Sequence, residues 1–224
     1  MVSSMVSSSA FPPGMSAVSM RRRCDTTSSL LEFSDSLEIE DMEMVRALHA
    51  EWFPLSYDED FYAKVERGEV SAVVARNEKN ELVGLAIYRI RPVTDLPGSE
   101  DFVHLQSVQA AYLMTLGVVE EWRGRGVGSS LLEKLITQLH PPQERVHRMS
   151  PWLLYLHVIE YNEPAMALYN KAGFEQVSRK CDFYFIRDRY YAAITLAHFF
   201  HKDVIKTPGR KIGGLWDSVC LGFL

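Results

Sequence analysis

Apolar positions change their period along the chain, and each change marks an element. After Ile39-Glu40-Asp41, the residues Met42, Val45, Leu48 and His49 recur at i, i+3, i+6 and i+7, which predicts a first helix. It stops at Trp52-Phe53-Pro54, because a proline holds the residue before it out of helical geometry. Asp58 to Arg67 predicts a second, short helix closed by Gly68. Two strand-like runs follow, Val70 to Ala75 and Leu82 to Ile90, with Asn77-Glu78-Lys79-Asn80 as the hairpin turn between them. Residues 91–107, with Pro92, Pro97 and Gly98, read as a loop. From Val108 the chain is apolar through Val119, the pattern of a buried strand. A glycine-rich turn leads into a helix from about Val127 to Leu139, striped by Leu131, Leu132, Leu135, Ile136 and Leu139 and ended by Pro141-Pro142. Trp152 to Ile159 is a second buried strand. Pro164 opens a further helix at its first turn and Gly173 closes it. Phe174 to Val177, Phe183 to Ile186 and Tyr190 to Ala197 predict three closing strands. Order is expected from near Leu37. The succession defines an α/β fold, a mixed central sheet flanked by helices.

The length of 224 residues suits one domain with tails: a tail over 1–35, a domain over 36–200, and a second tail over 201–224. Residues 1–29 hold nine serines with Pro12, Pro13 and Gly14, a composition that buries too little apolar surface to order itself. Two readings of this segment stay open, a disordered cytosolic tail and an organellar transit peptide, the second resting on Arg21-Arg22-Arg23 and the lack of acids before Asp25. No run of 18 apolar residues exists to span a membrane.

The net charge of −5 is unevenly placed. Residues 1–24 carry +3 and residues 201–224 carry +2, leaving about −10 on the residues between them. That acidity argues against a nucleic-acid partner. Cys24, Cys181 and Cys220 are too few and too scattered for a disulfide framework, which fits a reducing, cytosol-facing compartment. Cys181 has no activating neighbour in sequence and reads as an inert thiol. No HExxH or Cys/His spacing is present, so no metal is expected. In the back tail, Lys206, Arg210 and Lys211 precede Leu215, Trp216, Val219, Cys220, Phe223 and Leu224 at helical spacing, and two readings of 208–224 stay open, contact with a membrane interface and a helix packed on the domain or frayed at its end.

The segment richest in chemistry is the turn at Arg123-Gly124-Arg125-Gly126-Val127-Gly128-Ser129, between a buried strand and a helix. Glycines let backbone N–H groups approach an anion, the helix start adds its positive dipole end, and two arginines supply forks for phosphate. No Gly-Lys-Ser/Thr follows, so it is not a P-loop, and the third glycine is misplaced for a dinucleotide fingerprint. By itself it is equally a tight strand–helix turn with solvated arginines.

This turn resembles the Arg/Gln-x-x-Gly-x-Gly/Ala signature of the GNAT acetyltransferases. Some 40 residues on, Asn162-Glu163-Pro164-Ala165-Met166-Ala167-Leu168-Tyr169-Asn170-Lys171-Ala172-Gly173-Phe174 resembles that family's Asn-x-x-Ala-x-x-Leu-Tyr-x-x-x-Gly-Phe segment. The likeness covers about 36–200. Residues 108–119, residues 154–158 and Trp52-Phe53-Pro54-Leu55-Ser56-Tyr57 narrow it to the N-terminal acetyltransferases, of the NatF or N-alpha-acetyltransferase 60 type. Two departures stand out: Ser56 where that type is acidic, and Phe183 in a stretch that is tyrosine-rich there.

The resemblance implies a GNAT fold with a pyrophosphate-binding strand–turn–helix, and acetyl-CoA as co-substrate. It implies coenzyme binding by Leu116, Gly117, Val118, Arg123, Gly124, Arg125, Gly126, Val127, Gly128, Ser129 and Asn162. It makes Tyr112 and His157 the base system, with His157 as base and Tyr112 as relay, and places Tyr169 at the leaving thiolate and the coenzyme. Alone, each of these three reads as a buried core side chain. Phe53, Leu55, Tyr57, Met114 and Tyr184 are implied as the wall for the acceptor, the N-terminal peptide of a protein beginning with Met and an apolar or amphipathic residue. The type implies the cytosolic face of the Golgi or another membrane, with plastid or mitochondrion as the alternative if 1–30 is a transit peptide. Two other readings remain, a lysine (histone-type) or small-amine acetyltransferase and an inactive acyl-CoA-binding scaffold.

Overall fold

A computed structural model describes residues 31–35, 37–52, 57–105, 108–140 and 150–200. The apolar stripe after Asp41 forms α1 (Met42–Trp52), burying Met42, Val45, Leu48 and His49. Asp58 caps α2 (Glu59–Glu66) by accepting the Phe61 N–H at 2.8 Å. α3 is Val127–Leu139, and its Leu131, Leu132 and Leu135 are fully buried; each contributes about 1.5–3 kcal/mol by leaving water. α4 is Glu163–Lys171, capped by Asn162, whose Oδ1 accepts the Ala165 N–H at 3.2 Å.

The strands are β1 (Leu31–Ser34), β2 (Ser71–Asn77), β3 (Leu82–Pro92), β4 (Gln109–Val118), β5 (Pro151–Ile159), β6 (Glu175–Ile186) and β7 (Arg189–Phe199). They form one sheet in the order β1-β2-β3-β4-β5-β7-β6. Only β4 and β5 are parallel; every other neighbouring pair is antiparallel. α3 and α4 cover one face, over Leu113, Leu154, Leu156 and Leu196. α1 and α2 cover the other face over β2 and β3, packing on Val74, Leu85 and Ile87. Next to them the 3-10 segments Val93–Asp95 and Ser99–Leu105 close that face over Leu153 and Tyr155.

Three expectations are corrected. Leu31–Ser34, assigned to the front tail, pairs with Asn77 to Val74 of β2 as an edge strand; four residues are too short to carry a periodic signal. Phe174 to Val177 and Phe183 to Ile186 are one strand, β6, interrupted by a bulge. The stretch 91–107 is no plain loop, because its two 3-10 segments bury Val93, Leu96, Phe102 and Leu105. The readings of 1–30, of 201–224 and of Pro141-Pro142 lie outside the described residues. Among the described residues, no helix is long and apolar enough to cross a membrane.

Gly117 ties helix to sheet. A Cβ there would meet Cε3 of Trp52 at 1.9 Å, so the indole at the end of α1 lies directly on the β4 backbone. Gly117→Ala is expected to lower stability by about 1–3 kcal/mol by overpacking. Pairing it with Trp52→Ala should recover part of that loss, so thermal unfolding of both single variants and the double variant gives a non-additive cycle.

Candidate active site

The site starts from a failure of strand pairing. β4 and β5 are in register only from Gln109↔Pro151 to Tyr112↔Tyr155, and beyond that β5 pairs with β7 alone. Across β4, the register with β3 slips between Ile87↔Thr115 and Tyr88↔Leu113, so Met114 is one extra residue. That bulge reverses the alternation of the strand. Ala111 and Leu113 face the α3 side before it, and Leu116 and Val118 face that side after it. A cleft therefore opens between the two strands, with Tyr112 and His157 where they part.

The two side chains meet across it. The Tyr112 hydroxyl and Nδ1 of His157 are 3.1 Å apart, and the rings of Tyr112, Tyr155 and His157 pack together. Burial pushes the Tyr112 phenol up to about 12, opposed by Arg89. His157 is pushed down to about 4, first by burial and next by the Lys180 ammonium, while Asp101 and Glu100 pull it back up. At neutral pH the phenol is therefore protonated and the imidazole neutral; in the tautomer that carries its proton on Nε2, Tyr112 donates to Nδ1. Nε2 is buried and makes no hydrogen bond among the described residues. The imidazole is a weaker base than its ordinary value suggests. It suits removal of a proton from an amine already bonding to an acyl carbon, which is far more acidic than a free α-ammonium near 7.7–8.0. Tyr112 can accept that proton as it passes its own to Nδ1.

A ring of phenols surrounds this pair. Tyr184, from β6, donates to the His157 carbonyl at 3.1 Å. Tyr169, from α4, packs on Phe174 and is buried. Tyr57 packs on His49 and Phe61, and Met114 joins the same cluster. Burial raises the phenols of Tyr57, Tyr169 and Tyr184; charge on Tyr112 and Tyr62 raises Tyr57 further, Tyr57 raises Tyr169, and Tyr112, Tyr57 and Tyr169 raise Tyr184. All stay protonated donors at neutral pH, as a group facing a leaving thiolate must be. Phe53, Leu55 and Ser56 lie outside the described residues.

At the other end of β4, the turn has the shape of an anion cradle. Gly124 and Gly126 stand at φ +70° and +89°, and a Cβ on either would meet nothing within 4 Å. No acidic residue sits in the first turn of α3, so the N–H groups of Val127, Gly128 and Ser129 keep their positive field. Arg125 lies over the Trp122 ring at 5.4 Å. Arg123 donates from Nε to the Val118 carbonyl at 2.9 Å and pairs through Nη2 with Glu51 at 3.3 Å. The residues fit a pyrophosphate. Among the described residues β4 has no β5 partner beyond Tyr112; the Val118 carbonyl takes Arg123, and the rest of that edge, at Leu116 and Gly117, fits an extended amide-bearing chain. Acetyl-CoA bound there would supply an activated acyl group, which these residues would hold and orient. Asn162 spends its Oδ1 on the α4 cap, so its first role is structural.

Several residues of the site had no motif to mark them. Gly98 closes against Nε2 of His157, where a Cβ would approach to 2.6 Å. Asp101 and Lys180 form a nearly buried ion pair at 3.0 Å, with side chains 12% and 14% exposed, and Lys180 also pairs with Glu100. Oδ2 of Asp101 accepts from Ser178 at 2.8 Å and Thr195 at 2.9 Å. Pro97 and Gly98 in the 91–107 stretch were the only sequence sign of this roof. Cys181 is also corrected: it is exposed, with Nη1 of Arg179 at 3.1 Å from its sulfur, so it does have a cationic neighbour.

The structure thus combines a seven-stranded mixed sheet split at a parallel pair, a Tyr–His pair where it splits, and an anion turn after the end of β4. The sequence pattern of the acetyltransferase (GNAT) family matches residues 36–174, and the chain belongs to that family. It is 30% identical over 179 residues to histone acetyltransferase MCC1 of Arabidopsis thaliana, covering 75% of this chain and 69% of that one. It is 29% identical over 141 residues to N-alpha-acetyltransferase 60 of Xenopus tropicalis, covering 61% of this chain and 57% of that relative's length. The fold matches the crystal structure of Arabidopsis thaliana NAA60 in complex with a bisubstrate analogue, with a TM-score of 0.65, 24% identity, and 75% of this chain and 97% of that one covered. The expected likeness to the N-alpha-acetyltransferase 60 type is thus borne out, as is the GNAT fold.

Arg123→Ala is expected to weaken acetyl-CoA binding about 10- to 100-fold, the loss of a charge-assisted contact of about 1.5–3 kcal/mol. Glu51→Gln should strengthen it, because the carboxylate competes with the coenzyme for the same guanidinium. Calorimetric titration of both variants checks the pair of opposite signs.

Proposed function

We propose that this chain transfers acetyl from acetyl-CoA to the α-amino group of protein N-termini. The observation that carries the reading is the Tyr112–His157 contact at 3.1 Å, placed where β4 and β5 part. An acceptor entering there meets a proton relay on one side and the unpaired β4 backbone on the other. Relatives named N-alpha-acetyltransferase 60 support an N-terminal amine as the acceptor. A solved NAA60 structure in complex with acetyl-CoA, at a TM-score of 0.64, supports the coenzyme. Tyr57, Met114 and Tyr184 line the acceptor side in this reading, and termini beginning with Met followed by an apolar or amphipathic residue are the preferred class. The acidic domain favours an acceptor that carries a positive amino end.

A second reading is favoured by one observation: a relative that is 30% identical and covers 75% of this chain is named a histone acetyltransferase. Lysine is then the acceptor. Its amine has a reference pKa of about 10.4, so at neutral pH far less of it is free to attack.

Purified protein with acetyl-CoA and a peptide panel decides between them. Peptides beginning Met-Leu or Met-Lys should turn over, and N-terminally blocked peptides with internal lysines should not; the reverse result establishes the second reading. His157→Phe should lower kcat by about 10²-fold or more with little change in coenzyme affinity, as removal of a positioned acid–base group does. We further propose that residues 201–224 place the enzyme at a cytosolic membrane surface. Deleting 208–224 should then move it to the soluble fraction of lysed cells.

A further inference from the structure

β6 carries a kink whose purpose lies in the cleft. Lys180 pairs with Ala193 and Tyr184 with Tyr191, so Cys181, Asp182 and Phe183 stand opposite Ala192 alone. Asp182 turns the chain at φ +51°, a left-handed conformation that aspartate tolerates better than most residues. The kink swings the Phe183 ring onto His157: centroids 4.6 Å apart, planes 25° from parallel. Phe183 also meets Tyr184 edge-on at 4.9 Å. The residue remains 38% exposed, so burial of its own surface does not explain why it sits there. At the opposite edge of the imidazole, Gly98 at φ +76° comes so close that no side chain fits. Its loop is held down by Asp101, through Lys180, Ser178 and Thr195.

We propose that Phe183 is a positioning residue: with Gly98 it clamps the His157 imidazole, closes the exposed ring face to water, and leaves Nδ1 on Tyr112 as the only route for a proton. The clamp takes its catalytic meaning from the acetyltransferase reading, but its geometry does not depend on it. A phenylalanine does this better than a tyrosine would, since a hydroxyl at the rim draws water toward the ring it covers. The charged and titratable groups around His157 come from four elements. Tyr112 comes from β4, Tyr155 from β5, Lys180 from β6, and Glu100 and Asp101 from the 3-10 segment; β7 offers the neutral Thr195. Lys180 and the two carboxylates act in opposite directions, and burial is the largest influence. Removing the cover therefore acts on the dominant cause, and the sign is fixed: a more exposed imidazole holds its proton to higher pH.

The test is an NMR titration of the histidine rings in the full chain, for the parent and for Phe183→Ala, Phe183→Leu and Phe183→Tyr. His157 should titrate near 4 in the parent, and in Phe183→Ala its midpoint should rise by about one unit or more. Phe183→Leu, which keeps an apolar cover, should stay near the parent. Phe183→Tyr should fall between the two. The acid limb of kcat against pH should move in the same order, with the KM for acetyl-CoA unchanged. A His157 midpoint in Phe183→Ala equal to the parent's overturns the clamp. If the midpoints move as expected while no variant, nor the parent, acetylates any peptide, the acetyltransferase reading fails and the clamp stands.

Discussion

Everything in the site follows from the point at which β4 and β5 stop pairing. A parallel pair that continued to the end of both strands would satisfy every backbone group and leave no opening. Here pairing ends at Tyr112 and Tyr155. β5 turns its remaining length to β7, and β4 keeps β3 on its other side through Gly84↔Val118. The sheet stays continuous because each strand retains one complete neighbour. The cleft costs only the hydrogen bonds along its own walls, and those groups are the ones a ligand with amides of its own can satisfy. The Met114 bulge does the complementary work, re-aiming β4 so that its end serves the glycine turn while its middle serves the acceptor side.

Chemistry at the cleft is set by exclusion of water more than by charge. Four phenols (Tyr57, Tyr112, Tyr169 and Tyr184) and an imidazole keep their neutral forms because burial penalises the ionised ones. The charges close by, Asp101, Glu100 and Lys180, are paired with one another. They hold the roof segment on the sheet while largely cancelling at His157. Such a pair is expensive to bury and is tolerated where it fixes a geometry. Here the geometry it fixes is the approach of Gly98 to the ring.

Local sequence carried a large part of this. Helix boundaries were legible because Asp58, Asn162 and Pro164 act on their own first turns, and α3 was readable from Val127 to Leu139. The two cofactor segments were legible because a coenzyme turn needs glycine and arginine at fixed spacing. Tyr112, His157, Tyr169 and Tyr184 were found through family resemblance; their own surroundings in sequence are those of ordinary core residues. What stayed hidden depends on pairs far apart in the chain. Glu51 meets Arg123, Trp52 lies on Gly117, and Asp101 bonds Ser178 and Thr195. The β6 bulge was invisible because two extra residues in a strand look like two short strands. Phe183 was noticed only as a missing hydroxyl, whereas its position makes it a cover for the base.

The last turn of α1 touches both halves of the site. Glu51 grips an arginine of the coenzyme turn, Trp52 lies on the β4 backbone beside it, and His49 one turn earlier packs against Tyr57 on the acceptor side. A ligand that draws Arg123 away from Glu51 changes what holds that helix end, and the helix end helps to shape the acceptor wall. Any coupling carried by that turn would be reciprocal: what one bound ligand added to the affinity of a second, the second would return. A single helical turn thus joins the anion turn to the Tyr57 cluster through packing alone.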